Sequence, residues 1–373
     1  MNIGFEAKRV FHNKTGLGNY SRDLVRVLAT YFPEHHYFLY NPKKYKKALF
    51  VSNNTNVFEK NPISKFNQKF KNIWRQKTVV KDLVKDNIAI YHGLSGELPS
   101  GLEKKGIKSV VTIHDLIFVR YPNLYSFFDR KIHFYKFKKA AERADLVIAI
   151  SEQTKKDIIS YLHIDANKIR VVYQGCQDVF KKEYSDSEKK QVTEKFNLPE
   201  TFVLNVGTIE ERKNALTIVK AIKNLEVHLV LIGKQTDYTQ QIHQYISENK
   251  LENRVHFLKG LTSEELAITY QLASVFVYPS IFEGFGIPII EALYSKTPVI
   301  TNKTGVFSEA AGPNSLYIEP FDVDDLSIKI SKVLNDSSLS TKMKEEGLKF
   351  VQQFNDDVIA TNIMNCYQQV LSV

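Results

Sequence analysis

Ser280-Ile281-Phe282-Glu283-Gly284-Phe285-Gly286-Ile287-Pro288-Ile289-Ile290-Glu291-Ala292 lies between two runs of different character. Before it, Ser274-Val275-Phe276-Val277-Tyr278-Pro279 is an apolar run that reads as a buried strand. After the glycines, Pro288 to Tyr294 reads as a helix with proline in its first turn. Pro298-Val299-Ile300-Thr301 is then another strand, so the whole is a βαβ unit. Its loop falls at the carboxyl end of a strand, where open α/β sheets bind ligands. Glu283 and Glu291 flank the turn with seven residues between them. Gly284 and Gly286 let backbone N–H groups approach a ligand, and the helix start favours an anion. Glu283 stands beside what the loop holds, and Glu291 is placed to accept hydrogen bonds from paired hydroxyls. A phosphate with vicinal hydroxyls is a nucleotide. The competing reading is that both acids simply suit a helix N-terminus.

Working outward, strands and helices alternate on both sides. Met1–Phe5, His36–Tyr40, Asn87–Tyr91, Lys108–Ile113, Asp145–Ile150 and Arg170–Tyr173 read as strands of one parallel sheet, with helices such as Arg22–Phe32, Arg130–Arg143 and Glu152–Leu162 around it. The stretch from Gln174 to Pro199 turns polar and reads as a connection holding a helix. A second series follows, with strands at Thr201–Val206, Val227–Ile232 and Val255–Phe257. Helices are expected over Asn214–Asn224, Tyr238–Glu248, Ser263–Leu272, Asp322–Asn335, Ser338–Phe350 and Asp356–Leu371. The expected architecture is α/β, with two Rossmann-like domains facing across a cleft. The domains are 1–177 plus the terminal helix 356–373, and 178–355.

The chain of 373 residues is 43% hydrophobic and 25% charged, an ordinary globular composition. It shows no leader and no apolar run long enough to span a bilayer. Cys176 and Cys366 fit no metal spacing, which suits a reducing, cytoplasmic setting and makes sequons such as Asn53-Asn54-Thr55 chance matches. Between Asn41 and Lys85 twelve Lys and Arg face only Glu59 and Asp82, so this segment carries the chain's whole net charge of +10. Tyr45, Phe50, Phe58, Phe66, Phe70 and Trp74 are interleaved with them. Two readings stay open: a solvated lysine-rich surface, or peripheral contact with an anionic membrane. No base-reading module is present, which disfavours nucleic acid.

Three further motifs carry chemistry. Gly16-Leu17-Gly18-Asn19-Tyr20 lacks the third glycine and the later acid of a dinucleotide fingerprint, so an NAD enzyme is disfavoured. Its glycines still suit close approach by phosphate or sugar, against the alternative of an ordinary turn. His114-Asp115 ends the strand Val110–Ile113. There the imidazole would donate to a sugar hydroxyl or phosphate, and Asp115 would orient it or meet an acceptor hydroxyl. The alternative is a local cap. In Gly207-Thr208-Ile209-Glu210-Glu211-Arg212-Lys213-Asn214, two cations at a helix start oppose its dipole unless an anion lies between them. A planar fork and a point charge suit a diphosphate. Solvated surface cations, partly offset by Glu210 and Glu211, are the alternative.

Together these motifs resemble glycosyltransferase family 4, over most of the chain. The likeness runs through Thr15–Tyr20, Thr112–Leu116, Ile150–Asp157, Val206–Asn214 and the two glutamates around Gly-Phe-Gly-Ile-Pro. It is nearest to bacterial mannosyltransferases of polysaccharide assembly. The resemblance implies the GT-B fold, a terminal helix crossing back onto the first domain, and a retaining, metal-independent hexosyl transfer. The donor implied is GDP-mannose, with UDP-hexoses next. The acceptor implied is a glycan or lipid-linked oligosaccharide, placing the enzyme in the cytoplasm or on the inner face of its membrane. By resemblance Glu291 binds the donor ribose and Glu283 the donor sugar. Arg212, Lys213 and the backbone of Phe285, Gly286 and Ile287 hold the diphosphate. Gly16, Gly18, Gly207, Thr208 and Leu258 complete the donor site, and His114, Asp115 and Tyr20 meet the acceptor near the reacting sugar. Gln174-Gly175-Cys176 departs from the family's usual Asn-Gly-Val before the linker. No cofactor is expected. Asp322-Val323-Asp324, the one Asp-x-Asp triplet, opens a helix and reads as structural. A nucleotide-sugar epimerase, a pyridoxal-phosphate-dependent phosphorylase and a non-catalytic basic binding module are the competing classes.

Overall fold

The computed structural model describes residues 1–44, 49–52 and 54–372. Tyr45, Lys46 and Lys47 of the basic segment and Asn53 of its sequon lie outside them. The chain divides into two compact units, Met1–Gly175 with Phe354–Val373, and Cys176–Gln353.

The first unit is built on seven strands: β1 (Asn2–Glu6), β2 (His36–Tyr40), β3 (Val57–Lys60), β4 (Ile90–Gly93), β5 (Lys108–Ile113), β6 (Leu146–Ala149) and β7 (Ile169–Val171). Their order is β3-β2-β1-β4-β5-β6-β7, with every pairing parallel. The central strands are mostly apolar because helices cover both faces, with His92 and Thr112 as buried polar exceptions. One face carries helix Gly16–Tyr31 and the terminal helix Asp356–Leu371, whose Ile359, Ile363, Met364 and Tyr367 enter the core beside Leu24 and Leu28. Arg26 fixes this pairing by bonding both Asp23 and Asp356. The other face carries Trp74, Leu83, Ala140, Ala141 and Ile158.

The second unit has six parallel strands: β8 (Phe202–Val206), β9 (His228–Ile232), β10 (Val255–Leu258), β11 (Val275–Tyr278), β12 (Val299–Asn302) and β13 (Leu316–Ile318). Their order is β10-β9-β8-β11-β12-β13. Strand order reverses between β8 and β11. That is the switch point where a doubly wound sheet opens a crevice at its carboxyl end.

Three elements differ from the sequence expectation. The helix expected over Arg22–Phe32 begins at Gly16, after a short helix Lys8–His12, so both glycines lie within its first turn and not in a preceding loop. Thr15 stands before it in extended backbone, and Asn13 folds its side chain back onto Thr15 and Gly18. The basic segment holds helices, Lys65–Lys69 and Val79–Lys85 among them, and also contributes an edge strand, β3, that its sequence did not suggest. Val57-Phe58-Glu59-Lys60 has the mixed character of an edge, with Phe58 and Glu59 exposed. The last strand, Leu316–Ile318, and the helix Phe307–Ala311 before it were too short to show a period.

Candidate active site

The two loops at the switch point of the second sheet carry the predicted cluster. After β8 the chain passes through Gly207 at φ 144° and makes a short turn, Glu211–Lys213. Asn214, in left-handed backbone at φ 55°, then leads into helix Ala215–Ala221. After β11, Pro279–Gly286 leads into helix Ile287–Tyr294. The loops are tied together by backbone and amide bonds. Ile281 N–H donates to Arg212 O at 2.8 Å, and Asn302 Nδ2 donates to the carbonyls of Pro279 and Ser280 at 3.1 and 2.7 Å. Gly233, after β9, allows the chain to pass Gly207. A Cβ at 233 would stand 1.8 Å from the Gly207 carbonyl oxygen.

Four donors converge on one oxygen, Oε1 of Glu283. Arg212 Nη1 lies 2.9 Å away, Tyr278 Oη 3.1 Å and Ser280 Oγ 2.5 Å, and Lys213 Nζ is bonded to the same atom. Lys213 also donates to the Tyr278 hydroxyl at 2.6 Å, and Arg212 reaches Glu210 at 2.6 Å. The anion between the two cations is thus a protein carboxylate. The solvated-cation reading fails here, because Arg212 and Lys213 are largely covered. Burial by itself would raise the Glu283 pKa, but Lys213 and Arg212 outweigh it and hold the carboxyl below its ordinary range. Burial pushes the Lys213 ammonium down, with Glu283 pulling the other way.

Glu291, on helix Ile287–Tyr294, has a different environment. Its one bond here is from the Tyr270 hydroxyl at 3.1 Å. Burial raises its pKa to about 7, and the Tyr270 bond only partly opposes that. Gly286 precedes the helix at φ 131°, where a Cβ would press on Ala310 and Ile289. The Phe285 ring is buried, so only its backbone is offered to a ligand. Thr208, Leu258 and Ile287 are half-buried at strand and helix ends.

In the first unit, His114 follows β5. Its Nε2 lies 2.9 Å from Leu94 O. A carbonyl only accepts, so Nε2 carries the proton. Burial lowers the His114 pKa to about 4, which leaves Nδ1 as a lone-pair acceptor near neutral pH. This corrects the expected donor role: the ring nitrogen that is left accepts. Asp115 bonds the N–H of Ile117 at 3.1 Å, the local cap that was the alternative. Tyr20 sets its ring edge-on to His114 at 4.5 Å and bonds Thr112 at 3.1 Å. Thr112 in turn meets His92 Nε2 at 2.8 Å, and His92 Nδ1 meets the Tyr367 hydroxyl at 2.7 Å. This chain reaches from the terminal helix to the acceptor candidates. A Cβ at Gly18 would stand 2.0 Å from Asn13 O, whereas one at Gly16 would meet nothing. Gly18 is therefore needed by the fold, and Gly16 is not.

Sequence reasoning missed Tyr278, Ser280, Asn302, Tyr270, His92 and Tyr367. Ser280 is an ordinary loop serine, and the others sit in strands or on helices where a single polar side chain makes no motif. Asp322 caps helix Val323–Asn335 by accepting from Asp325 N–H at 2.9 Å.

Two parallel sheets of seven and six strands, each wrapped by helices, define an α/β protein of the GT-B class. The family model described as Glycosyltransferase Family 4 matches residues 15–178, and the one described as Glycosyl transferases group 1 matches 186–350. The chain belongs to the glycosyltransferases of family 4. It is 26% identical to O-antigen chain mannosyltransferase B of Escherichia coli, over 99% of this chain and all of that one. It is 33% identical to O-antigen chain mannosyltransferase RfbU of Salmonella typhimurium, over 57% of each. Among solved structures it resembles sucrose-phosphate synthase from Thermosynechococcus elongatus, with TM-score 0.80 and 23% identity over 100% of this chain and 99% of that one.

Proposed function

We propose that the chain moves mannose from GDP-mannose, with retention and without a metal, to a glycan or lipid-linked oligosaccharide of a bacterial surface polysaccharide. The observation that carries the transfer reading is the Arg212–Lys213–Glu283 cluster at the switch point. End-to-end likeness to an O-antigen mannosyltransferase favours mannose.

In this reading Arg212 and Lys213 take the diphosphate, and the N–H groups opening helix Ile287–Tyr294 add their dipole. Glu291 receives the ribose hydroxyls. Glu283 turns to the donor sugar. The sugar C1–O bond to the β-phosphate breaks as the acceptor oxygen bonds C1 on the same face. The acceptor proton passes to the departing phosphate oxygen, so no carboxylate nucleophile is required. His114 accepts at Nδ1 from a sugar hydroxyl.

The test is a thermal-shift panel of GDP, UDP, GDP-mannose, UDP-glucose and UDP-N-acetylglucosamine on wild type and Lys213→Ala. At 100 times its dissociation constant a ligand of the folded state stabilises by about 2.7 kcal/mol. GDP and GDP-mannose should shift wild type and not the variant. A shift with UDP ligands alone would replace the donor, and no shift with any nucleotide would overturn the transferase mechanism drawn here.

A further inference from the structure

A cavity of about 420 Å³ opens in the second unit, at the end of its sheet opposite the Glu283 loop. Helices Ser263–Leu272 and Ile287–Tyr294 both end there, because the strands that follow them, β11 and β12, start there. The Glu283 loop leaves the far end of β11. From it helix Ile287–Tyr294 runs back for eight residues, about 12 Å, before reaching the cavity. Five lysines, Lys181, Lys182, Lys189, Lys296 and Lys344, line the wall with a single carboxylate, Glu183.

Local partners do not use up this charge. Glu183 bonds Lys296 at 3.0 Å, and Asp178 bonds Lys181 at 3.3 Å. Among the described residues, Lys182, Lys189 and Lys344 make no ion pair. The two helix C-termini supply about half a negative charge each, which offsets one lysine and not three. Lys296 also breaks a local rule. It follows the C-cap of helix Ile287–Tyr294 in left-handed backbone at φ 54°. Its N–H donates to Leu293 O at 3.1 Å, and that of Thr297 to Ala292 O at 2.9 Å. Glycine is the usual residue at this position of such a motif, and an ammonium is set at the cavity in its place.

Ser295 points to a ligand independently. It is 3% exposed and lies on the cavity wall, and its Oγ is buried without a hydrogen-bond partner. Buried polar side chains are mostly paired, and a phosphate oxygen seated among the lysines would pair this one. Tyr294 and Leu348 add apolar wall, with Lys181 Nζ 5.5 Å from the centre of the Tyr294 ring. An anion that carries a carbon body suits this mixed lining, and the volume is in the range of small-molecule sites.

We propose that this cavity binds a small organic phosphate, with its phosphate held by the lysines and the Ser295 hydroxyl and its carbon body against Tyr294 and Leu348. It is a second anion site, separate from Arg212 and Lys213. It does not rest on the donor and acceptor assigned above.

The test is titration calorimetry at low salt with glucose 1-phosphate and glucose 6-phosphate, and with inorganic phosphate and glucose as controls. Three variants are compared with wild type: Lys182→Gln/Lys189→Gln/Lys344→Gln, Ser295→Ala and Lys213→Ala. Wild type should bind a sugar phosphate more tightly than inorganic phosphate and should not bind glucose. Lys213→Ala should keep this binding. The lysine variant should weaken it at least about tenfold. Lys182 and Lys344 are exposed and Lys189 half-buried, so the melting temperature of that variant should match wild type. Ser295→Ala should weaken binding about threefold or more. Its melting temperature should stay at or above wild type, because the hydroxyl it removes has no bond to lose. Wild type that binds neither sugar phosphate overturns the proposal, as does binding that survives the lysine substitutions or is abolished by Lys213→Ala. Inorganic phosphate bound as tightly as the sugar phosphates overturns the assignment of an organic ligand.

Discussion

Replacing Glu291 by Gln should make the free protein more stable at pH 8 while removing its hold on nucleotide. Glu291 is largely enclosed, with one hydroxyl for a partner, and burial lifts its pKa from the ordinary carboxyl range to about 7. In the unfolded chain the carboxyl ionises near its ordinary value. Between the two pKa values the folded state keeps a proton that the unfolded state has lost. Stability therefore falls as pH rises through that window and stays low above it. The whole shift corresponds to a penalty of about 3 kcal/mol at pH 8, of which about 1 kcal/mol remains at pH 5.5.

Glutamine keeps the shape and an oxygen for Tyr270 but has no charge to desolvate. The advantage of Glu291→Gln over wild type should thus be about 2 kcal/mol larger at pH 8 than at pH 5.5. For a unit of this size that is a difference of roughly 4–8 °C in melting temperature. The assay is thermal unfolding of both proteins at the two pH values, with and without saturating GDP. GDP should shift wild type much more than the variant, because an amide accepts from two hydroxyls less well than a carboxylate. A variant less stable than wild type at pH 8, or an advantage equal at both pH values, would refute the claim that burial sets this pKa.

Four more outcomes follow from the geometry. Glu283→Gln leaves Arg212 and Lys213 close together without their anion, so the free protein should lose about 3–5 kcal/mol, and GDP should then produce a larger melting shift than in wild type. Gly16→Ala should change stability by less than about 1 kcal/mol, so any loss of GDP-mannose affinity, read by titration calorimetry, would place Gly16 against the donor. Gly18→Ala and Gly233→Ala both force a Cβ onto a carbonyl oxygen and should cost about 1–3 kcal/mol by urea denaturation. Tyr367→Phe strands the buried His92 nitrogen and should cost about 1–3 kcal/mol, with donor binding unchanged.

The alternation of strands and helices was legible because parallel strands covered on both faces are continuous apolar runs, as in Val275–Tyr278 and Leu229–Ile232. The return of the terminal helix to the first unit was not readable from periodicity. It came from the family resemblance, and its physical cause, Tyr367 and Arg26 reaching partners hundreds of positions away, leaves no local trace. Within the site, Arg212 and Lys213 were visible as cations placed against a helix dipole, and Glu283 and Glu291 as a pair spaced around a glycine turn. Tyr278 and Ser280 were not, since a strand tyrosine and a loop serine are common and only the convergence on Glu283 singles them out. The exposed face of helix Phe127–Arg143 was hidden by its own composition. With apolar groups on opposite sides it has no clean period.

The two glutamates of the Glu283–Glu291 loop have opposite chemistry for one structural reason. Glu283 faces the switch point, where the β8 loop supplies two cations, and these overcome the cost of its burial. Glu291 lies one turn or more along the helix, beyond their reach, where only Tyr270 answers it. The site therefore holds a fixed charge at one end and an unstable one at the other. In the proposed reading, the anion of a ligand competes with Glu283 for Arg212 and Lys213, and a pair of ligand hydroxyls solvates Glu291. Neither a bare phosphate nor a free sugar does so. On the proposed function, this pairing of a loop glutamate with a helix glutamate is what lets the site meet a nucleotide at both of its ends, phosphate at Arg212 and Lys213 and ribose at Glu291.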